Sequence, residues 1–290
     1  MFFEIIDVFI SGLINGSVYS LMAVGLTLVY GVTKAFNFAY GSFYVLGGYF
    51  AWLLLVRYGV PGGYLTVIVT AVPFFFVIGF LSEKILIAPL RRYGDWEMKV
   101  MMLTLGLSLF MDYSFQSVFG PRVKSIPSFT EDIFEFGDFV ILHQDIAIFT
   151  VSICCMLGLR WVLNNTRIGM AVMATAQNPV GAQIVGIPKD FIYAATFAIS
   201  TILAGMGGIL LCQKNLINPM GGSDIMIKAW VITAFGGMGS IRGSLYAAFI
   251  LGMLEAFVGW YFGMMYVQIA TLTLLLVTLA VRPKGLLGRE

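Results

Sequence analysis

Apolar residues run for about twenty positions at a time along this chain, and polar ones are confined to the gaps. The apolar stretches fall at 7–32, 36–56, 64–88, 99–119, 146–163, 191–213, 226–239, 244–262 and 265–281. Most have the length an α-helix needs to cross ~30 Å of hydrocarbon. The pattern predicts an all-α polytopic membrane helix bundle with eight full spans and one short, broken one. It is expected to form a single domain over 1–290, because the longest polar segments, about 120–145 and 164–190, leave no room for a soluble one.

The first two stretches contain more than a lipid-facing helix requires. Gly12, Gly16, Gly25 and Gly31 interrupt the apolar run, and missing side chains let helix backbones approach one another. The run breaks at Thr33 and Lys34, and a glycine- and aromatic-rich segment restarts after Asn37. A second glycine-rich break, Gly236 to Gly243, stands in the other half of the chain. Broken helices inside a membrane leave backbone groups that protein, water or substrate must satisfy. Paired breaks in two halves point to a substrate path in secondary transporters, and by analogy to one in this chain. The residues expected near a path are Asn37, Tyr40, Gly41, Gly236, Gly237, Gly239 and Ser240; the plainer alternative is that these glycines only serve close helix packing.

Composition agrees with the pattern: 59% of the 290 residues are hydrophobic and 11% charged, too few charges to cover a soluble surface. Charge then orients the spans, since positive loops are retained on the cytoplasmic side. Lys34, Lys84, Arg91, Arg92, Lys99, Arg160, Arg167, Lys189, Arg242, Arg282, Lys284 and Arg289 fall on one side. The expectation is an inner-membrane protein with its amino terminus outside and its carboxyl terminus inside, provided that 225–239 crosses rather than re-enters. No cleavable signal peptide is expected, because the first apolar run is too long. Cys154, Cys155 and Cys212 all lie in spans and read as small core residues.

Two carboxylates, Asp112 and Glu255, fall inside spans, where ionisable groups are functional candidates by default. Neither has an obvious partner in the sequence. His143 has no Cys or His cluster around it, so no metal site and no histidine-dependent triad can be assembled. A phosphate-binding G-x-x-x-x-G-K-[ST] loop is absent, so ATP-driven transport would need ATPases on other polypeptides. The outer segment reads as a β-hairpin, Ile133–Phe136 and Phe139–Ile141 around Gly137–Asp138, suited either to touching a binding protein or to covering helix ends. The inner segment carries signals for a helix of about two turns: Asn178 as N-cap, Pro179 at the first helical position, Gly186 past the end and Pro188 beyond.

Around that helix stand Ala174, Asn178 and Ala182, spaced within one residue as A-x-x-N-x-x-x-A, with Gly181 beside them and Gly186-Ile187 following. This resembles the coupling loop of ABC importer permeases, which in that family inserts a short helix into a groove on the ATPase. GLTLVYGV ending in NFAYG, and Gly236-Gly237-Met238-Gly239-Ser240 with Gly243, Leu251-Gly252 and Glu255, are similar to signatures of the branched-chain amino acid permeases, specifically the H-type subunit of a paired H and M heterodimer. Members usually carry NFAHG; Tyr40 here replaces the histidine, which argues for hydrogen bonding or packing at that position over proton transfer. The blocks lie in order, so the likeness covers essentially the whole chain.

The resemblance implies a permease subunit without catalytic activity or cofactor of its own. Its expected partners are a second homologous permease, two cytoplasmic ATPase subunits that bind ATP, an external substrate-binding protein and the lipid bilayer, with no nucleic acid. Its expected cargo is branched-chain or related amino acids. Urea and short-amide permeases resemble the sequence almost as well, and a self-sufficient secondary transporter or channel is the alternative from another class.

Overall fold

Among the described residues, eleven α-helices stand in the order α1 (Phe2–Thr33), α2 (Tyr40–Trp52), α3 (Gly63–Ser82), α4 (Trp96–Phe119), α5 (His143–Asn165), α6 (Arg167–Gln177), α7 (Pro179–Ile184), α8 (Lys189–Leu211), α9 (Gly222–Gly236), α10 (Ile241–Tyr261) and α11 (Met264–Val281). The structure, a computed structural model, describes residues 2–126, 133–136 and 139–288. α2 and α3 each run on into a π-helical turn, Leu53–Arg57 and Glu83–Ile87. β1 (Ile133–Phe136) and β2 (Phe139–Leu142) pair antiparallel, with Ile133 opposite Leu142 and Phe136 opposite Phe139. The hairpin is the one expected, and its turn, Gly137–Asp138, lies outside the described residues.

Among the described residues, six helical segments are long and apolar enough to cross a membrane by themselves: Glu4–Thr33, Gly63–Arg92, His143–Asn165, Lys189–Leu211, Ile241–Tyr261 and Met264–Val281. The expected count of eight or nine is therefore loose. α2, α4 and α9 make up the difference and depend on their neighbours. α9 has 15 residues, a length of ~22 Å and short of a full span. α4 interrupts its apolar run with Thr104, Ser108 and Asp112.

The direction of each helix follows from which residues touch. Gly12 lies against Met253 and Gly16 against Phe249, so α10 runs antiparallel to α1. Gly25 faces Leu203, and Met22 faces Gly207, so α8 is antiparallel to α1 as well. Because α8 and α10 point the same way, the segment between them has to return across the bundle. α9 does this, lying alongside α1 with Lys228 at Tyr19 and Thr233 at Thr27. α9 thus returns across the bundle, and the start of α1 and the end of α11 lie on opposite faces of it. One face gathers Asp145, paired with Lys214 at 2.7 Å, and the Lys124–Ile217 bridge. The other gathers the Glu83–Arg91 linker, Asp190 and α7.

Burial sorts the spans into centre and rim. The apolar windows of α1 and α8 are each 89% buried, that of α11 only 11%. Small residues make the centre possible. A Cβ at Gly12 would stand 2.9 Å from Met253 Cα, and one at Gly16 2.9 Å from Phe249 Cα, so the α1–α10 contact is nearly backbone to backbone. α2 crosses α8 in the same manner: a Cβ at Gly47 or Gly208 would collide with the facing carbonyl of Gly205 or Tyr44. Gly259 and Gly263, spaced like a packing pair, meet no such neighbour.

Candidate translocation path and docking helix

The two breaks found in the sequence meet in space. α1 ends at Thr33, Lys34 turns the chain with φ 57°, and Lys34 N–H donates to the Tyr30 carbonyl at 2.8 Å. Asn37 is buried, and its Oδ1 accepts the Ala39 N–H at 3.1 Å, which starts α2. The second break, Gly237 to Ser240, lies beside the first, with Gly239 against Gly31. Ser240 caps α10 by accepting the Gly243 N–H at 3.2 Å. Phe36, in the first break, stacks between Tyr30 of α1 at 4.7 Å and Trp230 of α9 at 4.0 Å.

The residues expected near a path divide by what they touch. Tyr40 is fully buried with its hydroxyl over Gly25 and 3.5 Å from the Leu21 carbonyl, so within this protomer it packs α2 onto α1. Gly41 meets Gly222, where a side chain on either would collide with the other's backbone. Gly236 meets Gly243 in the same way across the α9–α10 turn. Gly237 has φ 103°, and the backbone of Gly288 covers it. Here the chain folds back: Leu286 N–H donates to Phe235 O at 2.8 Å and Leu287 N–H to Gly236 O at 3.1 Å, closing the last carbonyls of α9. Close packing accounts for the contacts of Gly41, Gly236 and Gly237 in this protomer.

Both intramembrane carboxylates have partners that no local sequence spacing announces. Asp112 is buried, and its Oδ1 accepts the Ser42 hydroxyl at 2.8 Å; Ser42 and Ser108 are 2.9 Å apart. Thr104, Ser108 and Asp112 form a polar stripe at i, i+4, i+8 on α4, and Thr104 also accepts the Phe38 N–H at 3.1 Å. Glu255 is the hub of a larger network. Its Oε2 receives Lys228 Nζ at 2.9 Å and the Tyr19 hydroxyl at 2.7 Å, and its Oε1 the Thr271 hydroxyl at 3.1 Å. Four helices, α1, α9, α10 and α11, converge on one carboxylate. Sequence reading gave Glu255 no obvious partner; in the structure the partner is Lys228 of the same chain.

A third polar cluster, missed in the sequence, sits at the face that holds α7. Arg91 pairs with the buried Glu83, reaches the exposed Asp190 at 3.4 Å and lies over the Tyr193 ring at 4.6 Å. It thereby joins the α3–α4 linker to the first turn of α8. Glu83, Arg91, Asn37 and Phe36 also line one small cavity, which connects this cluster to the first break.

The inner helix forms where the caps place it. Asn178 Oδ1 accepts the Gly181 N–H at 2.8 Å, Pro179 opens α7, and Gly186 takes φ 86°. Ile187 N–H donates to Ala182 O and Gly186 N–H to Gln183 O, both at 3.0 Å, the paired bonds of a Schellman ending. Ala182 is buried against the body, whereas Ala174, at the end of α6, is exposed. Val180, Ile184 and Val185 point away and are exposed, Ile184 to 81%. These three apolar residues were not singled out in the sequence, although i, i+4 spacing in a short polar loop is the signal that marks them.

A family model described as branched-chain amino acid transport system, permease component, matches residues 8–281. The chain is 33% identical over 292 residues to the high-affinity branched-chain amino acid transport system permease protein BraD of Pseudomonas aeruginosa, covering 97% of this chain and 94% of that protein. It is 30% identical over 296 residues to LivH of Escherichia coli K12, with coverage of 96% and 94%. In fold it is similar to a solved chain of PsaBC from Streptococcus pneumoniae in complex with Fab, with TM-score 0.53 at 13% identity over 98% of this chain and 97% of that one. With the matched region running from the second turn of α1 to the end of α11, this chain belongs to the family of branched-chain amino acid transport permease components.

Proposed function

We propose that this chain is the H-type permease subunit of an ATP-driven importer, forming one half of a path for branched-chain or related amino acids. In this reading it has no catalytic activity or cofactor of its own. It pairs with a second, homologous permease, receives substrate from an external binding protein, and is driven by two ATPases that bind α7. The single observation that carries the reading is α7 itself. A helix of 6 residues is unstable alone in water, yet this one is capped at both ends and turns Val180, Ile184 and Val185 outward. A rigid, protruding apolar knob fits a groove on another protein. Ala174, Asn178, Pro179, Gly181, Ala182, Gly186 and Ile187 build and hold the knob; the three outward residues fill the groove.

The basic residues support the cytoplasm as the side on which α7 lies. Lys84, Arg91, Arg92, Lys189, Arg282 and Lys284 collect at that face, and positive loops stay inside. This gives an outer amino terminus and an inner carboxyl terminus. The test is reconstitution of the chain with its second permease, ATPases and binding protein. Leucine uptake should require ATP and every component. Ile184→Asp should weaken recovery of the ATPases with the permeases by about 30-fold, as expected for losing an interface anchor worth ~2 kcal/mol. Uptake by this chain alone, without ATP, would overturn the reading.

A further inference from the structure

The Glu255 network lies within the hydrocarbon zone. Glu255 is ~9 Å below the end of α10 and Thr271 ~10 Å past the start of α11, at 1.5 Å per residue. Its two charges differ in exposure. The Glu255 side chain is 6% exposed, that of Lys228 29%. Facing lipid at this depth is costly for an ammonium, which favours water or polar protein outside Lys228, next to the exposed Ile227. The α9 face above it supports an aqueous approach: Ser223 and Asp224 are exposed one turn nearer the outer end, Asp224 at i−4 from Lys228. Toward the inner end, Val231 to Gly236 are buried, so the exposed strip ends just past the ion pair.

We infer that Lys228, Glu255 and Tyr19 form a docking station for the zwitterionic head of an α-amino acid on its way through this subunit. Lys228 donates to Tyr19 at 3.1 Å and to Glu255 at 2.9 Å, which leaves one ammonium hydrogen for an incoming carboxylate. Glu255 uses one oxygen for Lys228 and Tyr19, the other for Thr271. That leaves one lone-pair site, on Oε1, for an incoming ammonium. The pair sums to no net charge, and so does a zwitterion, so exchange of partners strands no charge in a medium of low dielectric. An anion or a cation alone would strand one. The station reads only the head common to amino acids, which leaves side-chain choice to the binding protein. It rests on the amino acid importer reading above.

The test uses the full reconstituted complex and ATP-driven leucine uptake, with Lys228→Met, Lys228→Arg, Glu255→Gln and the double variant Lys228→Met/Glu255→Gln. The double variant removes both charges, so it leaves no unpaired ion behind and should give a complex as monodisperse and thermally stable as the wild type. Its maximal uptake rate should nevertheless fall at least tenfold, while the leucine concentration at half-maximal rate, set by the binding protein, stays put. Lys228→Arg should retain more uptake than Lys228→Met. A double variant that transports like the wild type would overturn the station and leave the ion pair a helix clamp. If Lys228→Met alone fails to assemble while the double variant assembles and transports, the result is the same. A wild-type complex that moves no amino acid would overturn the importer reading itself, an outcome separate from the first two.

Discussion

At the scale of single residues, the caps of α7 were legible because capping is local chemistry. Asn178 can reach only the N–H groups just after it, and Gly186 tolerates φ 86° because it has no Cβ. Gly186→Ala should therefore place a side chain in the left-handed region at a cost of ~1–2 kcal/mol. Asn178→Ala should cost ~1 kcal/mol through the lost cap. For a helix this short either change frays the knob. We expect normal amounts of protein in the membrane but less substrate moved per ATP hydrolysed, and Asn178→Asp, which keeps an acceptor, should restore the ratio. Tyr40 was legible in part: packing is what it does in this protomer, as the loss of histidine suggested, though its contact with Gly25 could not be read from sequence.

Between elements, sequence was nearly silent, because spacing along a chain says nothing about which helix comes alongside. Glu255 and Lys228 are on separate helices, and no spacing rule brings them together. Arg91 and Glu83 are closer, eight residues apart, and the chain between them runs through a π-helical turn that no spacing rule announces. Glu83 is the buried arm of that cluster; Asp190 is exposed, and an exposed pair contributes little. Arg91→Met should leave the Glu83 carboxylate buried and unpaired, at ~3–5 kcal/mol, whereas adding Glu83→Gln should recover most of the loss. Thermal unfolding of the detergent-solubilised complex reads both. At the α2–α9 crossing, Gly41→Val should cost ~1–3 kcal/mol through overpacking, seen as lower yield of folded protein, and Gly259→Ala, whose Cβ would meet only Met264 and Val267 side chains at 3.6 Å, should cost almost nothing.

For the whole molecule, the apolar pattern foretold the class of fold and placed each apolar helix close to its observed position, while overcounting the segments that can span by themselves. It could not separate centre from rim, since α1 and α11 are both strongly apolar yet one is enclosed and the other exposed. Hydropathy reports transfer out of water, and protein interior and lipid are alike in that respect. The opposed faces make a direct prediction. In a background with Cys154, Cys155 and Cys212 replaced by serine, an impermeant maleimide applied from outside should label Leu216→Cys and spare Lys189→Cys. The reverse pattern would invert the proposed orientation.

The return of residues 285–288 to the end of α9 bears on how the protein is handled. Trimming the chain at Pro283, a natural choice when shortening a membrane protein for crystallisation, would strip the donors from Phe235 and Gly236 and uncover Gly237. An affinity tag appended after Glu290 leaves those donors in place. The last stretch of sequence is a stopper for the second break, and its removal should loosen the point where the two halves of the bundle meet.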